Sequence, residues 1–208
     1  MKITLISDTH GKHDQLVLPE TDLLIHAGDL SSRGTLPEIQ QFLDWFAALP
    51  IKHKVFIGGN HDFLLERSAT LFKSMLTEDY IYLENSEVVI EGIKIWGSPI
   101  TPWFFDWAFN RQRGEEIAKY WDMIPADTDI IVTHGPPLNY GDLTTRDQQN
   151  VGCADLLKVV NKIQPRYHVF GHIHEAYGIN ETPKTTFVNA SVLNLQYQMV
   201  NDPISIVL

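Results

Sequence analysis

The sequence predicts an α/β fold in which two packed β-sheets carry helices on their outer faces, and three observations predict it. Five short apolar runs, KITLIS (2–7), DLLIHAG (22–28), KVFIGG (54–59), DIIVTHG (129–135) and YHVFGH (167–172), are continuous rather than alternating, as expected of strands buried on both faces. Helical patterns lie between them. Two further segments, DYIYLENSEVVIEGIKIWGSP (79–99) and KTTFVNASVLNLQYQMV (184–200), hold closely spaced strand-like runs with short polar connections, which read as hairpins or a meander with antiparallel pairing.

In chain order, each apolar run ends on a particular kind of residue. The first ends on Asp8-Thr9-His10 and the second on Gly28-Asp29, followed by a helical pattern from Pro37 to Leu49. The third ends on Asn60-His61-Asp62, and a second helical pattern covers Gly114 to Trp121. The fourth ends on His134-Gly135. A helix is expected over Ala154 to Ile163, where Leu156, Leu157, Val159, Val160 and Ile163 form an apolar stripe that packs on a sheet. The fifth run ends on His172 and His174, which point the same way in extended backbone. Five buried strands thus each deliver Asp, Asn or His at the C-terminal end, the edge of an α/β sheet where ligands bind.

The bulk properties narrow the setting. At 208 residues and 44% hydrophobic content, one domain spanning 1–208 is expected. Sixteen basic against 26 acidic residues give a net charge of −10, which repels nucleic-acid polymers but leaves small phosphate esters open where local cations override it. The lone cysteine, Cys153, rules out an internal disulfide and a Cys-based zinc site and points to a reducing compartment. The N-terminus MKITLISDTHGK lacks a signal-peptide core, and no stretch approaches the roughly 20 apolar residues of a membrane span. A cytoplasmic protein is expected.

Carboxylate oxygens and imidazole nitrogens without thiolate favour Mn, Fe, Zn or Ni, and the strand ends carry more such groups than one ion needs. Two divalent ions about 4 Å apart, bridged by one carboxylate, would polarise a phosphoryl oxygen and generate a hydroxide at neutral pH. The glycines at 28, 58, 59, 135 and 171 would let the backbone turn sharply and approach the site closely. One histidine must stay unligated to protonate the leaving group, and spacing alone does not say which.

The ordered series D-T-H (8–10), G-D (28–29), G-N-H-D (59–62), T-H-G (133–135) and G-H-I-H (171–174) resembles the calcineurin-like metallophosphoesterase superfamily. The resemblance implies a four-layer α/β/β/α sandwich with a dinuclear site at one edge. Carried over by position, it places Asp8, His10 and His174 on one ion, Asn60, His134 and His172 on the other, and Asp29 between them. It leaves His61 as the unligated acid, with Asp62 placed to orient it. The segments at 97–114, 133–143, 151–157 and 171–178 are similar to small metallophosphoesterase-domain proteins whose vertebrate members act on cyclic nucleotides. Some of those carry Gly where this chain keeps His172, so an intact dinuclear centre is implied.

The expected activity is therefore hydrolysis of a small phosphodiester or cyclic nucleotide by a metal-bound hydroxide, with phosphomonoester hydrolysis as the alternative within the same chemistry. A catalytically weak nucleotide-binding or scaffold protein on the same fold is the rival from another class, opposed by the complete ligand set. A barrel-type metal hydrolase would need about 250 residues and eight strand–helix repeats. Trp103, Phe104, Phe105 and Trp107 could stack a nucleobase or equally plug a loop or a subunit contact. Arg111 and Arg113 could reach a phosphate or lie solvated at a helix start. The aromatic run and the strand-rich tail are compatible with a homodimer. His13, His26, His53 and His168 fall outside the motifs and are assigned to surface or packing, and Cys153 to the interior.

Overall fold

Successive side chains of each apolar run turn to opposite faces, and both faces being apolar decides how the layers stack. In the computed structural model, which describes residues 1–208, the first sheet takes β1 (Lys2–Ile6), β2 (Leu23–His26), β3 (His53–Phe56) and β4 (Ile81–Tyr82). The chain then crosses to a second sheet through the hairpin β5 (Ser86–Ile90) and β6 (Ile93–Ser98). After a small pair, β7 (Thr101–Pro102) with β8 (Asn110–Arg111), the second sheet is completed by β9 (Ile130–Thr133), β10 (Tyr167–Phe170), β11 (Gly178–Glu181) and β12 (Thr186–Asn189). The last strand, β13 (Ile204–Val207), returns to the first sheet and pairs antiparallel with β1. The orders are β13-β1-β2-β3-β4 and β11-β12-β10-β9-β6-β5.

Ile3, Leu5, Leu23, Ile25 and Val55 of the first sheet meet Ile95, Ile130, Val132, Val169 and Val188 of the second in one core. Their neighbours Ile6, Leu24, Phe56, Ile131, Phe170 and Phe187 turn outward to the helices. Strands with helices on one face and a second sheet on the other are apolar on both sides, which is why their runs do not alternate. β13 lies at an edge and does alternate, buried at Ile204 and Ile206 and exposed at Ser205 and Val207.

Helix α1 (Leu36–Ala48) starts where Glu38 accepts hydrogen bonds from the backbone and hydroxyl of Thr35 and Pro37 enters the first turn. It buries Phe42 and Phe46 against Phe56. The Lys54 ammonium donates to the carbonyls of Ala47 and Leu49 at its end, so a buried strand lysine caps the helix. Two short helices, α2 (Phe63–Arg67) and α3 (Ala69–Met75), follow β3. On the other side α4 (Glu115–Trp121) and α5 (Ala154–Ile163) cover the second sheet, with Trp121 packed edge-on to Trp96. Leu156 donates its backbone N–H to the buried Cys153 sulfur at the start of α5. No helix is long and apolar enough to cross a membrane.

The fold class follows the expectation: mixed α/β, two large mixed sheets, helices outside. Two local readings need correction. Segment 79–99 does hold an antiparallel hairpin, but β4 within it pairs parallel to β3. In 184–200 only β12 is a strand, parallel to β10 and antiparallel to β11. Beyond it the chain leaves the sheet because Asn194 folds it into a side-chain turn, its Oδ1 accepting from the N–H groups of Gln196 and Gln198.

Candidate metal centre

Parallel pairing of β1, β2 and β3, and of β9 with β10, sends all five C-terminal ends to one edge of the sandwich. The backbone there is forced. Asp8, His10, Asp29 and His172 all hold left-handed φ, at 57°, 43°, 56° and 69°, a region that non-glycine residues occupy at a cost and that clusters at functional sites. The glycines make room for it. A Cβ on Gly59 would lie 2.3 Å from both Asp29 N and Asp29 Oδ1, and one on Gly171 would lie 2.0 Å from Asp8 Oδ2.

Four histidines are oriented by the same device. Nδ1 of His10, His61, His134 and His174 lies 3.2, 2.8, 2.9 and 3.0 Å from the carbonyl oxygens of Ser31, Ser32, Ala27 and Asn194. A carbonyl only accepts, so each Nδ1 carries the proton and each neutral ring turns a bare Nε2 inward. Those inward atoms meet other acceptors. His10 Nε2 is 3.3 Å from His174 Nε2, and His174 Nε2 is 3.4 Å from Asp8 Oδ1. His134 Nε2 is 3.3 Å from Asp29 Oδ2 and 2.9 Å from Asn60 Oδ1. Asp29 Oδ2 also faces His10 Nε2 at 3.6 Å and His61 Nε2 at 4.0 Å. Lone pairs converging on lone pairs in a buried space are the donor set of a divalent cation, and N and O donors without sulfur suit the borderline ions.

The electrostatics describe the same competition. Burial would raise Asp8, but the hydrogen bond and charge of His174 hold its carboxyl well below the usual range. Burial likewise opposes Asp29, and His134 outweighs it. Burial disfavours a charged His134, yet the charge and hydrogen bond of Asp29 lift it to about 9; His174 reaches about 9 in the same way through Asp8. His172 is pushed down to about 4, first by burial and then by His134. Protons on His134 and His174 and cations between the groups are alternative ways to balance two buried carboxylates, so cation binding would release those protons.

Ligand atoms of Asp8, His10 and His174 lie within 4.8 Å of one another, as do those of Asp8, Asp29 and His134, and of His10, Asp29 and His61. The His172 ring stands further out, its centroid 5.1 Å from that of His134, while its backbone N–H donates to both oxygens of Asp8. Asp62 departs from its expected place. It does not touch the His61 ring: its oxygens accept from the N–H groups of Leu30, Ser31 and Gly59 and from the Ser31 hydroxyl. Burial and then the charge of Asp29 push it up to about 6. Asp62 ties the loop after β2 to the loop after β3, and the Ser32 carbonyl orients His61 instead.

A cavity of about 260 Å³ opens over the centre, with Phe104, Trp107, Leu195 and Tyr197 around its mouth. The Trp107 ring lies 4.4 Å from that of His61. Arg111 is committed elsewhere, pairing with Glu66 at 3.0 Å and donating to the Tyr120 hydroxyl at 2.9 Å. Arg113 donates to the carbonyls of Gly152 and Val151. Cys153 is buried, as are His13, His26 and His168, and His53 sits beside Glu91.

Three contributors were missed in the sequence. The Ser191 hydroxyl donates to Asp8 Oδ2 at 2.7 Å, the Asn194 carbonyl orients His174, and the Tyr197 ring lies 4.9 Å from His10 and 5.4 Å from His174. The strand-end rule points to Asn189 at the end of β12, two residues short of Ser191.

The family model of the calcineurin-like phosphoesterases matches residues 1–176. Human metallophosphoesterase domain-containing protein 1 is 41% identical over 228 aligned residues, 99% of this chain and 70% of that protein. A protein of Nostoc sp. named 3′,5′-cyclic-nucleotide phosphodiesterase is 25% identical over 169 residues, 76% of this chain and 58% of that one. The crystal structure of TT1561 of Thermus thermophilus superposes with a TM-score of 0.56 at 11% identity, over 90% of this chain and 88% of that one, a likeness of fold alone.

Proposed function

The chain belongs to the calcineurin-like phosphoesterase family, and from that premise we propose that it is a dinuclear phosphodiesterase acting on a small diester or a cyclic nucleotide. The observation that carries the reading is the set of inward Nε2 atoms facing carboxylate and amide oxygens, which fits two cations. Asp8, His10 and His174 would hold one ion and Asn60, His134 and His172 the other. Asp29 Oδ2, which faces both groups, would bridge them. When bound, divalent ions polarise phosphoryl oxygens and activate water at neutral pH.

The chain's own residues do the rest. Carbonyls of Ser31, Ala27 and Asn194 hold three ligand rings in one tautomer, so the centre is oriented before substrate arrives. His61 has its Nδ1 proton on Ser32 O and presents Nε2 to the cavity, where a proton carried on that atom can pass to the leaving oxygen. Trp107 packs against the ring and Asp62 fixes the loops on either side, which keeps that path aligned.

A diester is favoured by charge. The cavity lining contains no Lys or Arg, so the second negative charge of a monoester would meet no permanently cationic side chain, whereas a diester brings one charge only. The name of the Nostoc relative supports a cyclic nucleotide among the diesters. The experiment is hydrolysis of bis(p-nitrophenyl) phosphate beside p-nitrophenyl phosphate by metal-stripped protein titrated with Mn²⁺. Diester cleavage rising to a plateau as two ions bind is the expected result. Binding of two ions with neither ester cleaved would return the chain to the scaffold reading.

A further inference from the structure

After β12 the chain leaves its sheet and runs past the metal centre, touching it through Ser191, Asn194 and Tyr197. All three lie beyond residues 1–176, where the match to the family model ends.

Ser191 acts on Asp8. The Asp8 Oδ2 atom accepts from the Ser191 hydroxyl at 2.7 Å and from the His172 N–H at 3.0 Å, while Oδ1 faces His174 Nε2 at 3.4 Å. Ser191 is fully buried and fixed at both ends, its N–H donating to Asn189 Oδ1 at 3.1 Å and its carbonyl accepting from Asn201 Nδ2 at 2.9 Å. A fixed hydroxyl on one carboxylate oxygen sets the plane of the group and so aims the other oxygen.

Asn194 and Tyr197 act on the two histidines. The Asn194 carbonyl takes two donors, Tyr197 N at 2.8 Å and His174 Nδ1 at 3.0 Å, so the atom that orients His174 also places Tyr197. The Tyr197 ring meets those of His10 and His174 edge-on, with centroids 4.9 and 5.4 Å away. Its backbone is left-handed at φ 56°, and its carbonyl accepts from the Lys12 ammonium. Such a conformation persists only where the surroundings enforce it.

The contacts are one-sided. They fall on Asp8, His10 and His174, whereas His134 is oriented by Ala27 O and faces Asn60 Oδ1 and the His172 ring. No hydrogen bond or ring contact of Ser191, Asn194 or Tyr197 reaches Asn60, His134 or His172.

We infer that the segment from Ser191 to Tyr197 is a positioning strap for one ion only: it sets the affinity of the position formed by Asp8, His10 and His174 and leaves the other position alone. The inference rests on the dinuclear reading above. Its test is calorimetric titration of Mn²⁺ into metal-stripped protein, in the parent and in two backgrounds that each keep one position, His172→Ala and His10→Ala. Ser191→Ala is expected to weaken the ion left in His172→Ala by about 10- to 100-fold, as loss of a partner behind a ligand does. The ion left in His10→Ala should not move. Tyr197→Ala should weaken the same ion by less, and Tyr197→Phe should not weaken it, because the ring and not the hydroxyl makes the contact.

An unchanged ion in the first background, or equal weakening in both, overturns the strap. So does a background that holds no ion, since the two positions would then not be separable. If Ser191→Ala fails to fold, Tyr197→Ala, at a position 42% exposed, gives the same comparison with the same overturning results. A parent protein that binds fewer than two ions overturns the dinuclear reading and the strap together. Hydrolysis of bis(p-nitrophenyl) phosphate is followed on the same preparations: two ions with a one-sided loss but no cleavage keep the strap and remove the phosphodiesterase.

Discussion

Two pairs of buried histidines in this molecule share a depth but not a chemistry. His26 and His168 lie on the helix-facing sides of β2 and β10, where burial pushes both down to about 3. Each ring contacts a threonine hydroxyl at 2.9 Å, Thr9 for His26 and Thr133 for His168. His134 directly follows β9 and His174 lies beyond the end of β10, and both are lifted to about 9 against the same burial. What differs is the neighbour. A hydroxyl satisfies a neutral imidazole, whereas Asp29 and Asp8 demand a positive charge beside them, as a proton or as an ion. Burial alone makes a packed histidine, and burial opposite a carboxylate makes a site.

The sharpest way to break this contrast is to remove the carboxylate. Asp29→Asn keeps the shape and deletes the charge that faces His10, His61 and His134. Both ions are expected to be lost together, by metal counting, with kcat/KM falling on the order of 10³-fold or more, since several kcal/mol of charge stabilisation goes with them. Retention of two ions would overturn the bridging role. Next in size is His61→Ala, expected to lower kcat by about 10²- to 10⁴-fold while metal content stays at two per chain. Loss of metal in that variant would make His61 a ligand rather than a proton donor, an outcome its place beside His10 and Asp29 leaves open to measurement.

The pH dependence of metal-free protein sharpens the contrast further. His134 and His174 are raised from an ordinary value near 6.5 to about 9. Their contribution to stability is complete below pH 6.5 and is lost as pH rises through 9. His26 and His168 are lowered to about 3, so theirs is complete above pH 6.5 and is lost as pH falls toward 3. Asp8 and Asp29, held below the usual range, act in the same acid direction. Thermal melts of metal-free protein should therefore weaken on both sides of pH 6.5, and Mn²⁺ should abolish the alkaline decline alone. A decline of equal size with Mn²⁺ would mean that the ions do not replace the protons on His134 and His174.

The smallest effects lie within the packed pair. His168→Leu should cost less than about 1.5 kcal/mol as a near volume-conserving change, because His168 Nδ1 has no partner and the Thr133 hydroxyl still reaches Gly135 O. His26→Leu should cost more, about 1 to 3 kcal/mol, because Gly28 N donates to His26 Nδ1 and would be left buried and unpaired. Urea denaturation checks the order.

How much was legible in advance follows from the range of the interactions concerned. The five strand ends could be read because each is a local switch from apolar to polar residues. The partner of Asp62 could not, because Leu30 and Ser31 are more than thirty positions away and His61 is adjacent only in sequence. Ser191 escaped for the same reason, its partner Asp8 being 183 residues distant. β13 was missed because ISIV is short and alternating, as an edge strand with one face in solvent should be, and alternation over four residues is a weak signal.

The left-handed backbone at Asp8, His10, Asp29 and His172 sets selection on stability against selection on the site. Each such residue costs the fold about 1 to 3 kcal/mol relative to a relaxed conformation. Glycine, or in part asparagine, would relieve that cost at the same positions. Drift toward a sturdier protein therefore leads directly through loss of these side chains, and a descendant released from catalysis would be expected to lose them early. This chain carries a non-glycine side chain at all four positions, at a standing cost of several kcal/mol.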